Sequence, residues 1–258
     1  MMRKWFERGG SGAVVAALTV AAVSLAAQSA FALDAAALRG SLFGARPEAP
    51  AQSMVQPIAR FVSQEGETFV LDRSQARPLM KFDDSPEVWV LRPQMAPRGD
   101  VIYMNDLDEP VLRATRLGGL TLFTPGRPGG SAAALSGAGS ALRLVQLGPQ
   151  QLLERLAQAS SKASRAARRL IPFEADASPS SSALTADAAM VAAEAVIRMT
   201  HRADGKALLA KIVKIELIEG RKASARLEQG IIRIIVAPAE GLAGRPSSDR
   251  IIAAAGKP

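Results

Sequence analysis

The segment at residues 99–124 constrains the fold more than any other part of the chain. Three short apolar runs, at 101–104, 111–117 and 120–123, are separated by a polar turn at 105–110 and by two consecutive glycines. Runs of this length between turn residues are typical of β-strands joined by hairpins. We therefore predict an antiparallel β-meander here, and nothing in it has the pattern of a reaction centre.

The residues before this segment extend the same pattern. Apolar runs at 60–62 and 68–71 flank a polar turn that contains a glycine, and two further runs follow at 78–82 and 88–91. Beyond Phe43 the chain has seven aromatic residues, and six of them lie between positions 61 and 123. Because large rings bury the most area per side chain, we expect the best-specified core in this segment.

After residue 148 the hydrophobic period changes. Residues 149–170 repeat apolar positions at steps of three and four, which predicts a helix, and the Ala-rich residues 185–201 predict a second one. Alternation of apolar and polar residues over 206–236 predicts another meander. The composition of 124–141 and 174–184 is typical of loops.

These patterns predict an α+β domain at residues 58–236. Two antiparallel meanders, 58–124 and 206–236, would join or stack, and the two helices would cover one face. Residues 33–57 are predicted to be a flexible arm and residues 237–258 a C-terminal tail. The alternative is two small domains divided at 124–140, and the sequence leaves open whether the meanders share one sheet.

The N-terminus has the pattern of a secretory signal peptide. Its basic residues are Arg3, Lys4 and Arg8. An uncharged apolar stretch at 12–27 follows, and then a small-x-small cleavage pattern that ends at Ala32. We predict cleavage near Ala32 and a periplasmic location. The alternative is an inner-membrane anchor, because the uncharged run at 9–33 is long enough to span a bilayer.

Charge and cysteine content limit the function. The chain has a formal net charge of +8 and no cysteine. Disulfides, thiolate nucleophiles and cysteine-ligated metals are therefore excluded. Loss of residues 1–32, which hold three basic side chains and one acidic one, would leave a net charge of about +6. In an exported protein this charge would face anionic lipid or acidic envelope polymers, or would serve solubility alone.

A basic face on the helix at 149–170 is the one feature with a plausible partner. Its cations are Arg155, Lys162, Arg165, Arg168 and Arg169. Such a face, opposite Leu and Ala, can lie on an acidic protein or an anionic lipid surface, and Arg113 with Arg116 would form a second basic edge. The alternative is an ordinary solvated helix packed on the sheet. No nucleic acid is expected, because no aromatic residues interleave the basic ones.

The candidate reactive residues are few. Asp106 and Asp108 lie in an acidic turn with oxygen ligands at alternate positions, but the glycine and the distal glutamate of a calcium loop are missing, so we expect no metal. The adjacent pair Asp83-Asp84 lies in a turn before a proline, where neighbouring side chains point apart. His201 is the only histidine and suits a helix C-terminus. We predict no cofactor and no catalytic residues.

Two stretches of the first meander, EGETFVLDRS and GDVIYMNDLDEPVLRATRLGGLTLF, resemble a family of uncharacterised exported proteins of Gram-negative bacteria. This family is known only as a domain of unknown function, and the resemblance covers roughly residue 60 onwards. It implies export and a single structural unit. It implies no activity and no catalytic residues.

The function predicted from these observations is a non-enzymatic envelope binding or structural module that uses the basic helix. The alternative is a cell-envelope hydrolase that uses carboxylates of the acidic turn around Asp106. A purely structural or assembly role would require a large exposed apolar patch. The sequence does not define the oligomeric state or the identity of the partner.

Overall fold

The computed structural model of the protein describes residues 56–256. The predicted signal peptide at 1–32 and almost all of the arm at 33–57 lie outside the described residues. The described chain begins with nine strands, numbered here in chain order: β1 (Ile58–Ser63), β2 (Thr68–Asp72), β3 (Leu79–Phe82), β4 (Val88–Val90), β5 (Arg92–Met95), β6 (Val101–Met104), β7 (Pro110–Ala114), β8 (Leu120–Thr124) and β9 (Arg127–Ala138).

These strands form one antiparallel sheet that curls into a nearly closed barrel. Their order is β4-β3-β2-β1-β9-β8-β7-β6-β5, so β4 and β5 are the two edges. Only Leu91 separates these edge strands in the chain, and one residue spans at most about 3.6 Å. The edges therefore meet at Leu91, whose side chain is fully buried. We call β1–β9 the barrel.

An aromatic cluster fills one side of the barrel. Phe61 and Phe69 stack with ring centroids 5.6 Å apart, and Phe69 meets Phe82 edge to face at 5.9 Å. Phe82 packs in turn against Trp89 of β4 at 6.5 Å. Such pairs each contribute about 0.5–1.5 kcal/mol beyond the area they bury. The aromatic-rich segment at 61–123 thus supplies much of the barrel core.

The rest of the described chain builds helices around a smaller sheet, which we call the helical unit. Its elements are α1 (Pro149–Ala167), β10 (Phe173–Asp176), α2 (Ser182–Thr200), α3 (Gly205–Ala210), β11 (Lys214–Glu219), β12 (Ser224–Glu228), β13 (Ile231–Val236) and α4 (Ser248–Gly256). Helix α1 begins at Pro149 because proline suits the first helical turn. The Gln151 side chain accepts a hydrogen bond from the Gly148 N–H at 3.0 Å.

The small sheet is mixed, with the order β10-β11-β13-β12. Strand β11 runs parallel to both β10 and β13, and only β12 and β13 are antiparallel. Alternate residues such as Ile215, Leu217 and Ile234 are fully buried. Helices α1, α2 and α4 all pack against this sheet. Its other face carries ion pairs, among them Arg233 with Glu216 at 2.9 Å.

Helix α2 lies at the centre of the helical unit. Most of its alanines are fully or almost fully buried, together with Val196 and Met199. A helix that is apolar on most of its surface has to be surrounded by protein. Accordingly α1, α3 and α4 all pack against it, in addition to β11 and β13.

The expectation of an α+β fold is confirmed, but several element boundaries differ. Within residues 124–141, predicted as a loop, residues 127–138 form the twelve-residue strand β9 between β1 and β8. Two glycines of this stretch are closely packed: a Cβ on Gly130 would lie 2.5 Å from the Thr121 side chain, and one on Gly139, just after β9, would lie 2.8 Å from Val70. The same strand occupies most of the segment 124–140, at which the alternative placed the division between two small domains.

The predicted second meander is also wrong, because β13 lies between β11 and β12. The predicted helices therefore cover this mixed sheet rather than two joined meanders. The loop predicted at 174–184 begins inside β10 and ends inside α2, and the strand predicted from residue 206 begins with α3.

The predicted tail at 237–258 is folded over most of its length. It forms a 3₁₀ turn at Pro238–Gly244 and then α4, which buries Ile251 completely and leaves Ile252 only 8% exposed. Within residues 56–256 no helix is both long enough and apolar enough to cross a membrane.

Candidate functional site

Helix α1 carries an exposed row of cations. It buries Leu156, Ala159 and Ala163, whereas Arg155, Lys162 and Arg165 are exposed. These three recur at steps of seven and three residues, so they form one stripe about 15 Å long. Arg168 follows the helix in a left-handed conformation, with φ of 54°, and is also exposed.

The charge of this row is not neutralised within the described chain. None of Arg155, Lys162, Arg165 and Arg168 pairs with a carboxylate of residues 56–256, and Arg155 donates only to the Gln158 amide oxygen, at 3.3 Å. Elsewhere in residues 56–256, eleven arginines do form ion pairs. We call these four residues the α1 basic row.

Arg169, predicted to belong to the same face, has a structural role instead. Its guanidinium donates to the backbone carbonyl of Leu209 at 2.6 Å and to that of Ile212. These carbonyls lie at the end of α3, where a helix leaves acceptors without partners. Arg169 therefore joins α1 to α3 and is not a free cation.

The second predicted basic edge belongs to the barrel. Arg113 donates from Nε to the Asp100 carboxylate at 2.9 Å, and this hydrogen bond holds the pKa of Asp100 below its usual 3.8. Arg116 is exposed, and its backbone N–H lies 3.4 Å from the other Asp100 oxygen. Of this pair, only the Arg116 side chain lacks an acidic partner in the described chain.

The acidic turn contacts the helical unit. The Asp106 carboxylate accepts hydrogen bonds from the Ser247 hydroxyl at 2.6 Å, the Ser247 N–H at 2.9 Å and Arg250 Nε at 3.1 Å. Asp108 adopts φ of 64° and pairs with Arg92 at the surface. Across residues 56–256 no group of three or more acidic or histidine side chains could hold a metal ion.

The other candidate reactive residues do not join this turn. Asp83 pairs with Arg60, and both side chains are partly exposed. Asp84 is exposed, and so is His201, which directly follows α2.

A buried network links the barrel to the helical unit. Arg245 pairs with Asp187 of α2, donates to the Val88 carbonyl of β4 at 2.7 Å and lies 3.8 Å from Glu87. The side chains of Arg245 and Glu87 are each only 1% exposed. Since an isolated buried charge is very costly, these groups have to remain together.

The first turn of α4 completes the network. Glu87 accepts hydrogen bonds from the N–H and the hydroxyl of Ser248, and Arg198 of α2 pairs with Asp249 at 2.5 Å. Burial raises the pKa of Glu87, against the opposing effects of Arg245 and Ser248. Burial likewise raises the pKa of Asp249, with Arg198 opposing it.

Two adjoining cavities open where the barrel meets the helical unit, and we call them together the seam cleft. The narrower, of about 260 Å³, is lined by Trp89, Val90 and Leu91 of the barrel. The wider, of about 480 Å³, reaches Arg221 and Lys222 in the turn before β12. The two share the residues Arg77, Asp106, Ala243, Arg245 and Arg250.

The sequence patterns did not identify Glu87, Asp187, Arg245 or Ser248. One signal was present, because Ser247 precedes the apolar residues of α4 and its hydroxyl accepts the Arg250 N–H at 3.1 Å. Serine at this position with an acid in the first turn is a typical helix start. The contacts of Arg245 link distant parts of the chain and leave no local pattern.

Comparisons with known proteins agree with the resemblance described above at the level of the family. No curated protein and no solved structure matches the chain. A family model described as "Domain of unknown function (DUF4908)" matches residues 17–255. The exported, Gram-negative character expected of the family stays a prediction. Since the match spans nearly the whole sequence, the chain belongs to the family described as a domain of unknown function (DUF4908).

Proposed function

We propose that the protein is an exported, non-enzymatic binding module of the cell envelope, and that the α1 basic row contacts an anionic partner there. The observation that carries this proposal is the row itself: Arg155, Lys162, Arg165 and Arg168 are exposed and have no acidic partner in residues 56–256. The leader pattern at 1–32 supports export.

Electrostatics explains why such a row suits binding. Exposed charges act over about 8–10 Å at physiological ionic strength and raise the rate at which oppositely charged partners meet. The row continues towards α3, because Arg168 and Lys206 line one shallow cavity of about 320 Å³. An acidic surface that contacts this row would neutralise several unpaired charges at once.

The test reverses the charge of Arg155, Lys162 and Arg165 to Glu. Arg169 is left unchanged because its contacts are structural. We expect the protein to sediment with vesicles of anionic phosphatidylglycerol, or to crosslink in intact cells to an acidic envelope protein from a probe at the exposed position 158, which the triple variant leaves free. The first result identifies a lipid surface and the second a protein. Either should weaken with salt and be lost in the triple variant.

A matched control reverses three other exposed cations, Arg127, Lys211 and Arg226, and so changes the net charge equally. If this control lost binding as fully as the α1 variant, binding would depend on the net charge of the protein and not on the α1 basic row, and the proposal would be contradicted. Binding that survives the α1 triple variant would exclude the α1 basic row. Full-length protein with its leader intact in the cytosol would contradict export.

The alternative function is a cell-envelope hydrolase that uses the Asp106 carboxylate. Two observations favour it: Asp106 lines the seam cleft and accepts a hydrogen bond from the Ser247 hydroxyl. Against it, both Asp106 oxygens are already engaged, one of them with Arg250. The test is turnover of purified peptidoglycan, which would have to disappear in Asp106→Asn if this alternative holds.

A further inference from the structure

The seam cleft combines a buried, paired arginine, an excess of cations and an apolar wall. Its floor is Arg245, whose charge is already balanced by Glu87 and Asp187. The other charged residues lining it are the cations Arg77, Arg92, Arg221, Lys222 and Arg250 and the carboxylates Asp106, Asp108 and Glu240. Cations thus exceed carboxylates by two even when Arg245 is left out.

The pairing pattern locates this excess. Arg92 pairs with Asp108, Arg250 with Asp106, and the Arg77 guanidinium lies 3.7 Å from Glu240. Arg221 and Lys222 are exposed, and neither pairs with a carboxylate in the described part of the chain. The uncompensated charge therefore lies in the wider cavity, at the turn before β12.

The narrower cavity has a different character. Its wall includes Trp89, Val90 and Leu91, and the Trp89 ring packs edge to face with Phe82, with ring centroids 6.5 Å apart. A flat ring offers an apolar face for stacking and for dispersion contacts. The cleft thus has an aromatic residue in its narrower cavity and two unpaired cations in the adjoining wider one, and small-molecule sites combine apolar walls with a few charged groups.

The two walls of the cleft are held in place without a ligand. Asp106 of the barrel accepts two hydrogen bonds from Ser247, and Arg245 donates to the Val88 carbonyl. These contacts tie the barrel wall to the segment before α4. A site formed in advance avoids much of the ordering cost of binding.

We propose that the seam cleft binds a small organic dianion that carries a flat ring, such as an aryl phosphate monoester. The dianion neutralises Arg221 and Lys222 with help from Arg77, and the ring lies against Trp89. A phosphate monoester carries between one and a half and two negative charges near neutral pH and three acceptor oxygens. This site is separate from the α1 basic row, so its test does not depend on the proposed envelope function.

Trp89 reports directly on the cleft. The chain contains two tryptophans, Trp5 and Trp89, so a Trp5→Phe background leaves Trp89 as the only one. We expect phenyl phosphate to change its fluorescence in a saturable way, with tighter binding than inorganic phosphate or phenol. Loss of charged hydrogen-bond donors in Arg221→Ala/Lys222→Ala should weaken phenyl phosphate binding by about tenfold or more.

A second double variant, Lys206→Ala/Lys211→Ala, removes two exposed lysines of the α3 region and should bind phenyl phosphate like the parent. Unchanged thermal midpoints would show that both double variants are folded. The proposal is overturned if phenyl phosphate gives no saturable signal, if phenol binds equally well, or if both double variants lose binding alike.

Discussion

Arg245 and Glu87 form an ion pair whose nitrogen and oxygen lie 3.8 Å apart and whose side chains are each only 1% exposed. Glu87 directly precedes β4 of the barrel, and Arg245 lies between β13 and α4 of the helical unit. Asp187 of α2 also pairs with Arg245. The pair therefore connects the barrel to the helical unit. Its loss should lower the free energy of unfolding of both parts together.

The substitution Arg245→Met removes the cation and leaves two carboxylates without it. Breaking a buried ion pair from one side costs about 3–5 kcal/mol, because the remaining charge stays in an apolar environment. We expect the free energy of unfolding measured in urea to fall by about this amount. Arg226→Met, which removes an exposed pair with Glu228, should cost at most about 1 kcal/mol. Equal losses in the two variants would contradict the prediction.

Because of Asp72, the free energy of unfolding should vary with pH in the acid range. It is fully buried and accepts hydrogen bonds from the Ser74 N–H, the Ser74 hydroxyl and the Leu142 N–H. Burial alone would raise its pKa, but these hydrogen bonds outweigh burial and lower the pKa below 3.8. The unfolded chain then binds the proton more readily, so this stabilisation exists above pH 3.8 and is lost as pH falls through the lower folded-state pKa.

Denaturation at several pH values tests this sign. The difference in unfolding free energy between the parent and Asp72→Asn should shrink as the pH is lowered from about 5 to about 2. A difference that stays constant over this range would show that Asp72 does not titrate as we expect.

Gly205 should not tolerate a side chain, because a Cβ there would lie 1.8 Å from the Met199 carbonyl oxygen in α2. Gly205→Ala therefore forces α2 and α3 apart, and overpacking of this kind costs about 1–3 kcal/mol or more. We expect a thermal midpoint lower by about 2–4 °C for each kcal/mol. Gly126→Ala is the matched control, since nothing lies within 4 Å of its Cβ position. A stable Gly205→Ala protein would refute the packing of these helices.

Neighbouring arginines at the end of α1 should behave differently. Arg169→Met removes a charged donor from the carbonyls of Leu209 and Ile212 and should cost about 1–3 kcal/mol of stability. Arg168→Met touches no such contact and should change stability by less than about 0.5 kcal/mol. Chemical denaturation of both variants gives the comparison. If Arg168→Met lowered the stability more than Arg169→Met, the structural role of Arg169 would be refuted.

Sequence patterns predict elements well where local signals are strong. The apolar runs at 101–104 and 120–123 correspond to β6 and β8, and the periodic segment 149–170 corresponds to α1 with an end three residues earlier. Strand β9 was missed because its Gly, Ser and Ala residues have the composition of a loop. Of the glycines within this strand, only Gly130 lies in a crowded position, where a Cβ would be 2.5 Å from the Thr121 side chain of β8.

The candidate site was harder to predict than the elements. The α1 basic row was visible, because helical spacing alone places Arg155, Lys162 and Arg165 together. Arg169 has the same spacing but reaches the end of α3, a contact that only tertiary structure creates. Glu87 and Arg245 look like ordinary isolated surface charges in the sequence, and their burial follows from how the barrel meets the helical unit.

The position of β9 has a consequence for the folding of truncated chains. Strands β1–β4 and β5–β8 each follow one another in the sheet, and β9 lies between β1 and β8. A chain that stops before residue 127 would hold two four-stranded ribbons joined through Leu91, with β1 and β8 left as unpaired edges that invite pairing with other molecules. Addition of β9 unites the two ribbons, so a chain truncated just upstream of residue 127 should yield insoluble protein rather than a smaller stable fragment.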